Sequence, residues 1–328
     1  MKIYRSLEEF EPLENAIVTI GTFDGVHIGH QKILKKLVDC AKETCGETVL
    51  LTFFPHPRLI LNPNDDSLRL INDIEEKAHQ LALCGIDHLI ITPFTRDFSN
   101  LSAEEYIRNV LVDKLGTKTI IIGYDHHFGK DRKGTIKDLL HFAHIFDFQV
   151  LEIAKQDIED VAVSSTRIRE ALIKGDIEIA NRYLGYPFEL TGTVEKGDQI
   201  GRQIGFPTAN LNVHESHKLI PAYGIYAAEV DIYPSVPQII TGEYKENPII
   251  KKAYGMCYIG TRPTVDGMTR KIEVNVLDFE GDLYSSTVRI RFKKFIRGDE
   301  RYDSLEELQQ QIKLDEEAIR TFFDQNNS

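Results

Sequence analysis

With 328 residues, 42% of them hydrophobic and 27% charged, the chain is long enough for two domains of ordinary size, each with its own core. Its 39 basic and 51 acidic residues leave a net charge of −12, which argues against a protein whose main work is gripping nucleic acid, since that needs a concentrated positive face. Small anionic ligands stay open, because a few local cations or backbone amides suffice for them.

Taken in chain order, the opening MKIYRSLEEFEPLEN is charged and lacks the apolar core of a secretory signal. Short apolar runs follow at Ala16–Gly21, Thr48–Phe54, Ile86–Thr92, Thr119–Gly123 and Gln149–Ile153. Helical patterns lie between them at Gln31–Lys42, with Ile33, Leu34, Leu37, Val38 and Ala41 on one face, at Ile74–Cys84, and at Ala103–Leu115. Ser102 with Glu105 three residues on predicts a capping box for the last of these. Short buried strands separated by such helices predict a parallel sheet covered on both faces, a doubly wound α/β domain. Helical stretches at Thr166–Lys174 and Asp176–Leu184 close this region, and the boundary falls near Gly185–Pro187, giving domains 1–185 and 186–328.

Beyond it the pattern is strand, turn, strand: Phe188–Glu195, Gly224–Asp231, Tyr254–Ile259, Lys271–Asp278 and Ser286–Phe295. In Lys271–Leu277 the alternation puts Ile272, Val274 and Val276 on one face and Lys271, Glu273 and Asn275 on the other. A small antiparallel β-barrel is expected, finished by an acidic amphipathic C-terminal helix from Ser304 to Phe323, with residues 234–250 read as a surface loop inserted between two barrel strands. The four cysteines, Cys40, Cys45, Cys84 and Cys257, form no Cys-x-x-Cys pair, and no apolar run approaches the roughly 18 residues of a membrane span. A cytoplasmic protein with reduced thiols and no membrane or nucleic-acid partner is expected; whether it forms a homo-oligomer stays open.

The first chemical constellation is GTFDGVHIGH at 21–30, directly after a strand and at the mouth of a helix. In an open α/β sheet, ligands bind at the carboxyl ends of the strands, where a helix N-terminus presents unpaired amides and partial positive charge. Gly21, Gly25 and Gly29 let backbone approach a bulky anion, His27 and His30 both offer hydrogen bonds to phosphate oxygens, and Asp24 either orients the loop or holds a group of ATP. A zinc site is the alternative, but two histidines supply only two ligands and no cysteine cluster completes a tetrahedron.

This stretch resembles the signature of the nucleotidyltransferase superfamily, with its Rossmann-like fold. The resemblance implies that both histidines stabilise charge on a triphosphate as pyrophosphate leaves, with Phe23 in the same nucleotide-binding loop. SSTRIR at 164–169 is similar to the superfamily's second signature, which implies phosphate contacts for Ser165, Thr166 and Arg169, with Arg167 a weaker candidate. No covalent intermediate is needed: an acceptor phosphate attacks the α-phosphorus of ATP in line, with magnesium neutralising the pyrophosphate.

The second constellation, GDQIGRQIGFPTANL at 197–211, combines Gly197, Gly201 and Gly205 for tight backbone contact, the cation of Arg202, and the neutral oxygens of Thr208 and Asn210, which suit a Mg²⁺ that keeps several waters. Pro207–Asn210 resembles the Pro-Thr-Ala-Asn signature of riboflavin kinases, supported by PAYGIYAAEV at 221–230, GTRPT at 260–264 and RKIEVNVLDFEGDLY at 270–284. By that resemblance Glu273 is the base that takes the proton of the ribityl hydroxyl. With TFFPHP (52–57), LSAEEYI (101–107) and GYDHHFG (123–129), the whole chain is similar to the bacterial family of bifunctional riboflavin kinase/FMN adenylyltransferases, or FAD synthetases. Membership implies ATP, riboflavin and FMN as substrates, FAD as product, and Asp125 as a flavin contact; His126 stands where the family usually carries an aromatic. A class I aminoacyl-tRNA synthetase-like enzyme also uses His-x-Gly-His, but no Lys-Met-Ser-Lys-Ser-type loop accompanies it. A chain with a single working domain, or a non-catalytic flavin-binding module, would differ in what it turns over, so assays of each step and of ATP consumption separate them.

Overall fold

The computed structural model describes the chain except residues 125, 154–162, 198–200, 202–204, 235–241, 246–247, 265–266 and 327–328, and describes only the backbone at 262–264 and 267–269. It divides into two compact units, Met1–Ser165 with Gln238–Lys245, and Thr166–Pro237 with Glu246–Ser328.

The first unit is built on β1 (Lys2–Tyr4), β2 (Ala16–Ile20), α1 (Ile28–Thr44), β3 (Glu47–Phe53), α2 (Ile74–Leu83), β4 (His88–Thr92), β5 (Thr117–Gly123), α3 (Ile136–Phe146) and β6 (Gln149–Ile153). The sheet runs β1-β4-β3-β2-β5-β6, all parallel, so the doubly wound reading holds. β2 is buried along its whole length, and its side chains part to two cores. Ile17 joins Leu34, Leu37, Leu50 and Leu81 beneath α1 and α2. Val18 joins Leu51, Ile107, Leu111 and Leu139 on the opposite face.

Three features depart from expectation. The segment opened by the Ser102–Glu105 capping box is α-helical only over Ala103–Glu105 and then widens into a π-helix, Tyr106–Lys114. β1 and α3 are not among the expected elements, yet both form. The insertion at 234–250 is not a surface loop throughout: Gly242–Glu243 is a strand, here β10, pairing antiparallel with Lys2 and Ile3 of β1. Tyr244 continues the contact, its N–H donating to the Met1 carbonyl at 2.8 Å and its hydroxyl lying 3.0 Å from His79 Nδ1. The physical reason is the open edge of β1, whose backbone groups are satisfied by any strand that reaches them.

The second unit opens with α4 (Ser165–Lys174), whose first residue still counts with the first unit, and α5 (Ile177–Leu184). The Ala222 N–H donates to the Leu172 carbonyl at 3.0 Å, and Asn181 Nδ2 to the Phe292 carbonyl at 2.8 Å, so both helices pack within this unit. Its strands are β7 (Glu189–Glu195), β8 (Ala209–Asn212), β9 (Gly224–Tyr233), β11 (Lys251–Thr264), β12 (Gly267–Val276) and β13 (Thr287–Arg297). They close into an antiparallel barrel in the order β11-β12-β8-β7-β13-β9. The C-terminal helix α6 (Leu305–Asn326) lays Ile319 and Phe323 against Phe206, Ala227 and Met256.

Candidate active sites

In the first unit the loop 21–30 leaves the carboxyl end of β2 and turns into α1. The turn is strained: Phe23 (φ 45°) and Val26 (φ 35°) are left-handed, as is Gly25 (φ 85°). For the two non-glycine residues such a conformation costs about 1–3 kcal/mol each, and it persists where surrounding contacts over-determine it. A β-carbon on Gly25 would lie 3.0 Å from Ile71 Cδ1, so no larger residue suits this turn.

Two buried side chains fasten the turn to the start of α2. Asp24 Oδ1 accepts the Ile71 N–H at 2.9 Å and the Asn72 N–H at 3.4 Å. Lys77 Nζ donates to the Thr22 carbonyl at 2.8 Å, which also accepts from Thr52 Oγ1 at 3.3 Å. Through Oδ1 the Asp24 carboxylate orients the loop. Ser165 Oγ donates to the Asp24 backbone carbonyl at 2.9 Å, so the start of the second signature meets the first. Thr166, exposed, and Arg169, half-buried, stand on the first turns of α4. Asp125 and Arg202 lie outside the described residues.

His27 caps α1. Its Nδ1 accepts the backbone N–H of His30 at 3.3 Å, which leaves its proton on Nε2. The two imidazoles stack with centroids 3.7 Å apart and planes 13° from parallel. The Phe23 ring, buried in the core, tilts against His30 at 5.0 Å, so Phe23 acts here as the floor under that ring. Burial holds the His30 ring well below the usual imidazole range, and His27 and Lys77 push the same way. Burial also lowers Lys77, while the carboxylates of Asp24 and Asp73 work against that. Gly29 is buried in the first turn of α1, which carries no acidic residue, and at Gly21 a β-carbon would lie 3.0 Å from the Phe23 ring, so any side chain there would push on that ring. The result is a helix N-terminus without negative charge, fronted by two imidazole donors.

In the barrel, residues 205–212 pass from a turn into β8. Glu273 on β12 stands opposite Asn210, and its Oε2 accepts from Thr208 Oγ1 at 3.1 Å. Asn275 Nδ2 donates to the Pro207 carbonyl at 2.8 Å, tying the Pro-Thr pair to β12. Two of the three glycines lie in close contact, while a β-carbon on Gly205 would meet nothing within 4 Å and its left-handed backbone (φ 85°) is what favours glycine there. A β-carbon on Gly201 would sit 2.2 Å from the Phe206 carbonyl oxygen, and one on Gly197 would strike Asn210 Nδ2 at 2.0 Å. Thr208, Asn210 and Glu273 are thus brought together, three neutral or anionic oxygens of the hard type that magnesium takes. Among the described residues no cluster of three or more His, Cys, Asp or Glu forms a metal site. Beside Thr208 opens a cleft of about 460 Å³ with Val194, Val276, Phe279, Asp282 and Tyr284 in its wall, a size that holds a cofactor-like molecule. Sequence reasoning did not single out Lys77, and it quoted the stretch 270–284 without giving Val276, Phe279, Asp282 or Tyr284 a place in a cleft.

A parallel α/β unit with two stacked histidines at a helix N-terminus, joined in one chain to a closed barrel with a carboxylate–threonine pair, fits a nucleotide-using transferase of two parts. The FAD synthetase family matches residues 9–167 and the riboflavin kinase family residues 184–323. The chain is 36% identical over 310 residues to the bifunctional riboflavin kinase/FMN adenylyltransferase of Listeria monocytogenes, covering 94% of this chain and 93% of the relative. It is 35% identical over 325 residues to the protein of that name from Escherichia coli K12, covering 98% of each. The chain belongs to the bifunctional riboflavin kinase/FMN adenylyltransferase family. It also superposes on a crystal structure described as a macrolide-efflux protein from Streptococcus pneumoniae, with TM-score 0.83, 31% identity and coverage of 97% and 98%. Efflux is said of that protein; among the described residues here no helix is long and apolar enough to cross a membrane.

Proposed function

We propose that each half performs the reaction its family is named for, with residues 1–185 serving as FMN adenylyltransferase and 186–328 as riboflavin kinase. The observation that carries this reading is the presence of both family matches, 9–167 and 184–323, in a single chain.

In the barrel, Glu273 takes the proton of the ribityl hydroxyl as that oxygen attacks the γ-phosphorus of ATP and ADP leaves, giving FMN. Thr208 Oγ1, within hydrogen-bond reach of the carboxylate, holds Glu273 in place. Thr208 and Asn210 are the residues that would hold magnesium, with Gly201 and Arg202 near the phosphates. Bound there, the ion would neutralise charge on the triphosphate. Flavin contact by Asp125 is carried over from the family pattern.

In the α/β unit, a phosphate oxygen of FMN attacks the α-phosphorus of a second ATP, and the bond to pyrophosphate breaks. Negative charge then grows on the leaving group. His27 presents Nε2–H, His30 adds a second donor, and the amides opening α1 face the same anion. Two imidazolium rings 3.7 Å apart would repel, so the pair does not carry two charges before the anion forms. Ser165, Thr166 and Arg169 contact the phosphates. The ligands are small molecules, and the setting is the cytoplasm.

Two variants test the division of labour. His30→Ala should abolish conversion of FMN to FAD and leave riboflavin phosphorylation in place; Glu273→Ala should do the reverse. Chromatography of flavins after incubation with ATP and magnesium reads both. Loss of both activities in either folded variant would refute the assignment.

A further inference from the structure

Lys77 is a buried ammonium, 6% exposed, on a helix that carries no signature residue. A lysine so placed is rare unless something holds it, because its charge loses water. Its Nζ donates to a single described oxygen, the Thr22 carbonyl, at 2.8 Å. That carbonyl immediately precedes the left-handed Phe23, the start of the strained turn that delivers His27 and His30. Asp24, two residues on, binds the amides of Ile71 and Asn72 just before the same helix. The turn is therefore clamped at two points to the segment 71–77, once by a carboxylate and once by an ammonium.

We propose that Lys77 is a positioning residue for adenylyl transfer: its ammonium pins the Thr22 carbonyl so that the turn aims both histidines, and it places fixed positive charge beside His30 before nucleotide arrives. This rests on the assignment of His30 to the leaving pyrophosphate. Among the described residues, His27, from the cap of its own helix, and Lys77, from α2, are the groups whose charge disfavours protonation of His30. Behind Lys77 stand Asp24 and Asp73, whose carboxylates favour its charged form. The Phe23 ring tilts against that of His30 at 5.0 Å and carries no charge. Among the described residues the Nδ1 of His30 is buried without a hydrogen-bond partner, so no such bond at that nitrogen offsets the neighbouring charge. Two effects follow. The donors stay aligned without rearrangement during the reaction, and the ring stays neutral in the free protein.

The test uses the full chain with Lys77→Met, Lys77→Arg and, as reference, His30→Ala. FMN adenylylation and riboflavin phosphorylation are measured separately, and the His30 ring proton is titrated by NMR. Lys77→Met should lower kcat for FMN adenylylation by about tenfold or more, with KM for FMN moved by less than about threefold. Riboflavin phosphorylation should stay within about twofold of the parent. The His30 titration should move to higher pH in Lys77→Met and return toward the parent in Lys77→Arg, together with part of the rate. A folded Lys77→Met with the parent rate overturns the proposal, and so does a lost rate with an unmoved His30 titration. If Lys77→Met does not fold, Lys77→Arg decides: restored rate and titration support the proposal, and a folded but inactive Lys77→Arg overturns it. His30→Ala keeps the two readings apart, since its full activity would remove the underlying assignment whatever Lys77 does.

Discussion

His30 binds its proton more weakly in the folded protein than in the unfolded chain, because burial, then His27, then Lys77 disfavour the imidazolium. The sign of the consequence is fixed by linkage. Above the ordinary imidazole value of 6.5 the ring is neutral in both states and no stability is lost. As pH falls through that value the unfolded chain takes up the proton first, and stability drops until the folded ring titrates too. The unfolding midpoint of the first unit should therefore fall between about pH 7.5 and 5.5, with His30 contributing at most about 1.4 kcal/mol per pH unit. Thermal unfolding of the parent and of His30→Gln across that range measures it; equal slopes in the two would sink the idea. At this scale the motif residues were legible because phosphate chemistry restricts them to few types at fixed spacing. Lys77 was not. In Ile74–Leu83 a lysine beside two glutamates reads as the solvated face, yet Glu76, Lys77 and Gln80 are buried along with Ile74 and Leu81. A helix buried on its polar face loses the periodicity by which exposure is read.

Among elements, the long apolar strands and the helices with a single apolar stripe were plain from sequence. α3 carries an apolar face, Ile136, Leu139, Phe142, Ala143 and Phe146, that packs on the second core, so its helical spacing was there to be read; the exposed Leu140 and Ile145 blur only its edge. β10 is two residues long and meets β1 across some 240 positions of sequence; backbone hydrogen bonds make it, and these leave no side-chain signature. Its anchor does have a side chain. Tyr244 packs against the cluster of Ile3, Ala78 and Leu81 and reaches His79 with its hydroxyl. Tyr244→Ala should destabilise the first unit by about 1–2 kcal/mol, through lost apolar burial and a weakened edge. Tyr244→Phe should cost less than about 1 kcal/mol, since only the hydroxyl is lost. Denaturant unfolding gives both values, and amide exchange at Ile3 should quicken in the alanine variant. An unchanged Tyr244→Ala would mean that the strand holds by its backbone alone.

For the whole molecule, the matches of one chain to the FAD synthetase and riboflavin kinase families imply two separate uses of ATP, and the products distinguish them. Phosphoryl transfer to a hydroxyl breaks ATP between its β- and γ-phosphates and leaves ADP. Adenylyl transfer to a phosphate breaks it at the α-phosphorus and leaves pyrophosphate. Starting from riboflavin, each FAD formed should thus be accompanied by one ADP and one pyrophosphate; starting from FMN, by pyrophosphate alone. The acceptor in the second step is the phosphate of FMN, already ionised and in no need of a base to take a proton from a hydroxyl. Riboflavin itself should therefore receive no AMP. With His30→Ala and riboflavin, the reaction should stop at FMN, with ADP accumulating and pyrophosphate absent. Ion-exchange chromatography of nucleotides alongside the flavins measures these ratios. Pyrophosphate released from riboflavin without passage through FMN would show that the first unit accepts a hydroxyl, and the separation of the two chemistries by unit would fall.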